Sequence, residues 1–232
     1  MRHSRLQECV YCPSTANLTD EHAPAKLIFP EPRPSDLITV KACLDCNQAG
    51  SKDAEYFRLC LCLNPLAKDM PSVVALKPTV QRSLQRPQAQ GFKNRLLQAL
   101  EPDHGRIAFT VEMGRIHTVI KRTVQCLYLH ETGEKLPDTH EVRVASLEVL
   151  AQLGPEKAQE FRRDFIEPLA QQALKLVADN QFAYSVIHTS RQFVSVWGLI
   201  FYGILPFVAF TGRKVRMPQS SNPASSHFCN QG

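Results

Sequence analysis

Cys9-Val10-Tyr11-Cys12 and Cys43-Leu44-Asp45-Cys46-Asn47 bracket the triplet Asp20-Glu21-His22. Thiolates bind Zn²⁺ tetrahedrally, and a two-residue gap lets both sulfurs of a Cys-x-x-Cys turn reach one ion. Cys9, Cys12, Cys43 and Cys46 therefore read as a closed structural zinc site. A plain zinc ribbon separates its two knuckles by about 15 to 20 residues. Here the segment from Pro13 to Ala42 is longer and carries chemistry of its own.

That chemistry centres on Glu21 and His22. The triplet follows Asn17-Leu18-Thr19, and Pro24 prevents a helix, so a short strand and its exit are expected there. Adjacent strand residues point to opposite faces, so a bulge or a strand end is needed to bring Glu21 and His22 to one spot. A neutral imidazole can take a proton from water, while a carboxylate and a side-chain amide oxygen are hard ligands suited to Mg²⁺. Phosphodiester hydrolysis needs both an activated water and a cation on the scissile phosphate.

These residues resemble the HNH endonucleases, specifically those with a zinc-stapled ββα-metal motif. The resemblance covers roughly residues 9–58. It implies that Glu21 and Asn47 bind a catalytic divalent metal, Mg²⁺ or Mn²⁺, and that His22 is the general base. It also implies a DNA substrate, cleavage leaving a 5′ phosphate, and a weak phosphate contact for Lys52 beside Ser51 and Glu55. The family's central Asn, which braces the loop beneath the catalytic histidine, would fall nine residues before Asn47, where this chain has Ile38. Asp36 or a backbone carbonyl is the expected substitute. A run from Val119 to Pro137 is similar to the region after the motif in uncharacterised bacterial HNH proteins and names no activity.

Plainer chemistry competes at each position. A four-cysteine zinc site is more often a staple than a reactive centre, and that role is adopted for the cysteines. Glu21 and His22 alone would read as a surface salt-bridge pair; the knuckles and Asn47 in register favour a nuclease. A zinc nucleobase deaminase joins His-x-Glu to Pro-Cys-x-x-Cys, but here Ala23 and Pro24 follow His22 and Ala42 precedes Cys43. A thioredoxin-like redox site would use only one Cys-x-x-Cys.

At 232 residues, with 44% apolar and 21% charged content, the chain can bury a sizeable core in one or two domains. Its net charge of +5 mildly favours a polyanionic partner. Four of the eight cysteines belong to the zinc site, and Cys60, Cys62, Cys126 and Cys229 show no framework spacing, so a reducing, cytoplasmic setting is expected. Before Cys9 there is no apolar stretch of the signal-peptide kind. Phe193 to Gly212 is uncharged, but Gly198, Gly203 and Pro206 interrupt it and β-branched and aromatic residues dominate it. Two buried strands around a Gly203–Pro206 turn are expected, not a membrane span.

With Phe182–His188 these would form an antiparallel sheet covered by helices. Helices are expected over Ala54–Leu63, Phe92–Leu100, Ile116–Leu129 capped by Gly133, Val142–Leu153, and Glu156–Ala178 with Pro168 as a kink. Arg106–Met113 reads as a strand, and Met70–Pro87 as irregular. Arg115, Lys121 and Arg122 read as a solvated face. The fold class is thus α+β: a zinc-bound ββα motif over residues 1–64, a mixed helical and antiparallel-sheet domain over 65–212, and a disordered tail over 213–232. The expected activity is metal-dependent DNA hydrolysis. The alternative is a zinc-containing nucleic-acid-binding module whose catalytic centre has decayed.

Overall fold

The structure, a computed structural model, describes residues 7–103, 106–145 and 154–214. The tail beyond 214, with His227 and Cys229, and the later part of the helix expected over Val142–Leu153 lie outside the described residues.

The chain is a mixed α+β fold with antiparallel sheets and a four-cysteine cluster near its N-terminus. Strands β1 (Leu18–Ala23) and β2 (Ile38–Cys43) form a hairpin in which Glu21 faces Val40 and His22 faces Thr39. Val10 N–H donates to Lys41 O at 2.9 Å, fastening the first cysteine turn to β2. Helix α1 (Leu44–Ala49) starts directly at Cys43, and α2 (Ser51–Leu63) follows across Gly50. Its end at Asn64-Pro65 is the expected one, because proline cannot continue the ladder.

Residues 70–87 are not irregular. They form α3 (Pro71–Val74) and α4 (Lys77–Gln85), each with a proline in its first turn. There the missing N–H is free of cost and the fixed φ starts the helix. Helix α5 (Gln90–Gln98) precedes a hairpin of β3 (Leu100–Asp103) and β4 (Arg106–Phe109). The strand expected to run to Met113 stops at Phe109, since Met113 opens α6 (Met113–Thr132). Ile116, Val119, Ile120, Thr123, Val124 and Leu127 form its buried stripe, and Gly133 ends it in the left-handed conformation at φ 73°. Helix α6 packs on β1, β2 and α2 on one side and reaches the second sheet on the other.

That sheet has the order β5-β9-β8-β7-β6, with all pairs antiparallel. Its strands are β5 (His140–Ala145), β6 (Lys175–Val177), β7 (Phe182–His188), β8 (Ser195–Phe201) and β9 (Leu205–Arg213). Ser195, Trp197, Leu199 and Phe201 alternate into the core, as a half-buried strand requires. The helix expected from Val142 is overturned over Val142–Ala145. Val142 and Val144 belong to β5, which pairs the outer side of β9 and spares it an open edge. The long helix expected over Glu156–Ala178 is also shorter. It comprises α7 (Gly154–Phe161), a π turn at Arg162–Ile166 and α8 (Glu167–Ala170), after which Lys175–Val177 joins the sheet. Pro168, in the first turn of α8, starts a new segment after the π turn.

One apolar cluster joins the hairpin, α2, α6 and the large sheet. Phe57 meets Phe201 edge-on at 5.0 Å, and Tyr202 Oη donates to Ile28 O at 2.6 Å. Among the described residues no helix is long and apolar enough to cross a membrane.

Candidate functional site: a four-cysteine centre and the adjoining cleft

Cys43 is the residue from which α1 springs and Cys46 lies in its first turn, so two sulfurs are delivered by one helix start. Cys9 and Cys12 come from a tight turn in which Cys9 N–H donates to Ser14 O at 2.8 Å. All four sulfurs lie within 4.8 Å of one another. Cys12 Sγ and Cys43 Sγ are 3.7 Å apart, close to the roughly 3.8 Å edge of a tetrahedron with Zn–S bonds of about 2.3 Å. Burial alone would raise the Cys9 pKa, but backbone hydrogen bonds at Cys43, Tyr11 and Cys12 bring it down to about 7, whereas burial and the neighbouring sulfurs push the Cys46 thiol up. The donor set and spacing suit a metal ion such as zinc. Two basic side chains hold the turns from outside: Lys135 Nζ donates to Cys12 O at 2.7 Å and Arg122 Nη2 to Cys46 O at 2.9 Å.

Beside this centre lies a cleft of about 190 Å³ lined in part by Tyr11, Glu21, His22, Asn47, Gly50 and Arg122. Glu21, His22 and Asn47 are thus brought together. The β1 register runs without a bulge through His22, the penultimate strand residue, so the site uses a strand end to gather both neighbours. Glu21 is buried, and its Oε1 accepts from Tyr11 Oη at 2.7 Å and from Arg122 Nη2 at 2.9 Å. The Arg122 guanidinium also lies over the Tyr11 ring, 3.8 Å from its centroid. Asn47 Nδ2 donates to Thr19 Oγ1 at 2.9 Å and to Asp20 O at 3.0 Å, so the amide nitrogen is spent on β1. Burial, then the nearby Lys26 charge, lowers the His22 pKa below its ordinary 6.5, leaving a neutral ring at neutral pH.

Several expectations require correction. Asp36 does not brace His22; it is exposed and its Oδ1 accepts from Asp179 N–H at 3.2 Å. Ile38 is buried opposite Ala23, and no hydrogen bond to the His22 ring occurs among the described residues. Lys52, given a weak phosphate contact by the resemblance, keeps an exposed ammonium group, and it lines a cleft across α2 from Glu21 and His22. The solvated basic face holds only for Lys121. Arg115 is bound to Asp53 at 2.8 Å, and Arg122 reaches inward to Glu21.

Arg122, Tyr11 and Gly50 are the members of the cleft that sequence reasoning missed. Arg122 flanks the buried Val119 and Thr123 on α6, and that border position was the available signal. Gly50 makes room: a Cβ there would lie 2.4 Å from Arg122 Nε.

Comparison with protein-family models, curated proteins and solved structures gives no match to this chain.

Proposed function

We propose that the chain is a metal-dependent endonuclease of the HNH type that hydrolyses phosphodiester bonds in DNA. The observation that supports this best is the convergence of Glu21, His22 and Asn47 on one cleft beside four clustered cysteines. Zinc on Cys9, Cys12, Cys43 and Cys46 would fix the start of α1, and with it Asn47.

Asn47 and Glu21 would hold Mg²⁺ or Mn²⁺. Their hydrogen bonds fit that role: the Asn47 amide nitrogen is already committed, which leaves Oδ1 as its free end, and the Glu21 partners all use Oε1. Carboxylate and amide oxygens prefer such hard cations, which would supply charge stabilisation at the scissile phosphate. His22, neutral at neutral pH, takes the proton of the attacking water. Arg122 and Tyr11 hold the Glu21 carboxylate in place. The net charge of +5 suits a polyanionic substrate.

A second reading, a nucleic-acid-binding module with a decayed centre, draws on two features. The Arg122 cation already occupies Glu21, and the His22 ring has no bracing hydrogen bond among the described residues. Nicking of supercoiled plasmid with Mg²⁺ or Mn²⁺ separates the readings. We expect His22→Ala to lower cleavage by about 10² to 10⁴-fold with zinc content intact. Asn47→Ala should raise the Mg²⁺ concentration needed. Wild-type protein that binds DNA without cleaving it, or His22→Ala at full activity, refutes the nuclease mechanism.

A further inference from the structure

Across α2 from the Glu21 cleft lies a larger one of about 590 Å³, within the size range of small-ligand sites. Ser51 and Ala54 face the first cleft, while Lys52, Glu55, Tyr56 and Leu59 face the second, and α4 and α5 form its opposite wall. Its charge is lopsided. Lys52, Arg58, Arg86, Arg95 and Arg115 line it against only Glu55 and Glu112. Glu55 stands 4.0 Å from Arg86, at the limit of an ion pair, and Arg115 is neutralised by Asp53 at 2.8 Å from outside the lining, with Glu112 at 3.9 Å. No carboxylate lies within ion-pair distance of Arg58, Arg95 or Lys52 among the described residues.

Arg58 is the decisive member. It is only 4% exposed, yet its partners are neutral: Nη1 donates to Leu27 O at 3.2 Å and Nη2 to Ser83 Oγ at 3.1 Å. Its Nε has no partner. A guanidinium withdrawn from water without an anion costs stability that an incoming anion would offset. Arginine forks suit phosphate oxygens in particular, through paired N–H donors. The same cleft carries aromatic surface on half-buried Phe92, which meets the buried Tyr56 ring edge-on at 6.1 Å.

We propose that this second cleft binds the phosphate of a nucleotide, with Arg58, Arg86 and Arg95 supplying the donors and Phe92 the apolar wall for the ring. The phosphate belongs either to a free nucleotide or to a polynucleotide strand. The proposal uses no part of the nuclease reading, since it concerns residues on the other face of α2.

The test is calorimetric titration of the full chain at low salt, without divalent ions, using ADP in one arm and a short oligothymidylate in the other. Wild type is expected to bind at least one of them. Exposed Arg95 has no side-chain partner among the described residues, so Arg95→Ala should weaken binding about tenfold, the equivalent of one charge-assisted hydrogen bond. Arg58→Gln should weaken it at least as much if it folds. Lys93→Ala, on the same helix but outside the cleft, should bind as wild type. Tighter ADP binding assigns the site to a free nucleotide, and tighter oligothymidylate binding to a strand. Absence of binding in both arms, or equal affinity in Arg95→Ala and wild type, overturns the proposal.

Discussion

Gly50→Ala is the smallest change that should disturb the Glu21 cleft. Gly50 sits at φ −83° and ψ −10°, a conformation open to any residue, so the backbone raises no objection. A compatible Gly→Ala substitution ordinarily stabilises by about 0.4–1 kcal/mol, by narrowing the unfolded ensemble. Here the new methyl would lie 2.4 Å from Arg122 Nε, 2.8 Å from Cζ and 3.0 Å from Cδ. Ordinary contact needs about 3.5 Å, so the side chain must move by about 1 Å. An arginine tip would normally yield cheaply. This one is pinned by Glu21 Oε1 and Cys46 O, both at 2.9 Å, and by the Tyr11 ring at 3.8 Å. Loss of one hydrogen bond to a charged group costs about 1.5–3 kcal/mol. After subtracting the alanine gain, the net destabilisation is about 0.5–2.6 kcal/mol. For a chain of this size that lowers Tm by roughly 1–10 °C.

Urea and thermal melts of wild type, Gly50→Ala, Arg122→Ala and the double variant measure it. With Arg122 removed, Gly50→Ala should be neutral or raise Tm, giving a clear coupling between the two positions. If Gly50→Ala stabilises the wild-type chain, or shifts Tm equally in both backgrounds, the claim that Gly50 exists to admit Arg122 is wrong.

Cys43→Ser should remove bound zinc and weaken cooperative unfolding of the hairpin and α1, because structural metal binding supplies folding free energy. Metal analysis of purified protein beside a thermal melt checks this, and unchanged zinc content and stability would contradict it. The second expectation concerns Glu131, which accepts from Tyr184 Oη and pairs with Lys175 Nζ. Burial pushes its pKa up, but these partners outweigh that and hold it below the ordinary 4.5. A carboxylate depressed in the fold contributes stability above its unfolded pKa and loses it as pH falls through the folded value. Glu131→Gln should therefore lower the urea midpoint at about pH 7, with the gap closing below pH 4.5; a gap that persists into acid would show that the ion pair is not its source.

Local signals carried much of the fold. The uncharged run Phe193–Gly212 was legible as two strands because β-branched and aromatic residues surround a turn, which the chain makes at Tyr202–Ile204. Phe182–His188 and the Gly133 cap were legible for the same reason. Strand β5 was not, since a short segment with Val142 and Val144 satisfies either period, and pairing with β9 decides between them. The cysteines declared themselves by spacing, whereas Arg122 showed only a border position on α6 and nothing of its partner Glu21, which is 101 residues away. A basic residue on a helix reads as solvated until the fold supplies a buried carboxylate. Arg58 is the same case with a neutral partner, Leu27 O, on a distant turn.

The turn that follows β1 is held by that distant network. Ile38 cannot hydrogen-bond the turn that follows the histidine, and Asp36 points elsewhere. Instead the turn is gripped by two successive carbonyls. Arg58 from α2 donates to Leu27 O, and Tyr202, between β8 and β9, donates to Ile28 O. Arg122 and Lys135 hold the two cysteine turns by the same device, each donating to a backbone carbonyl of the second cysteine in its turn. Side chains from outside the hairpin therefore fix its connecting loop and both cysteine turns. It follows that the loop between β1 and β2 depends on the large sheet: removal of the Tyr202 hydroxyl frees the Ile28 carbonyl, although Tyr202 lines no part of the Glu21 cleft.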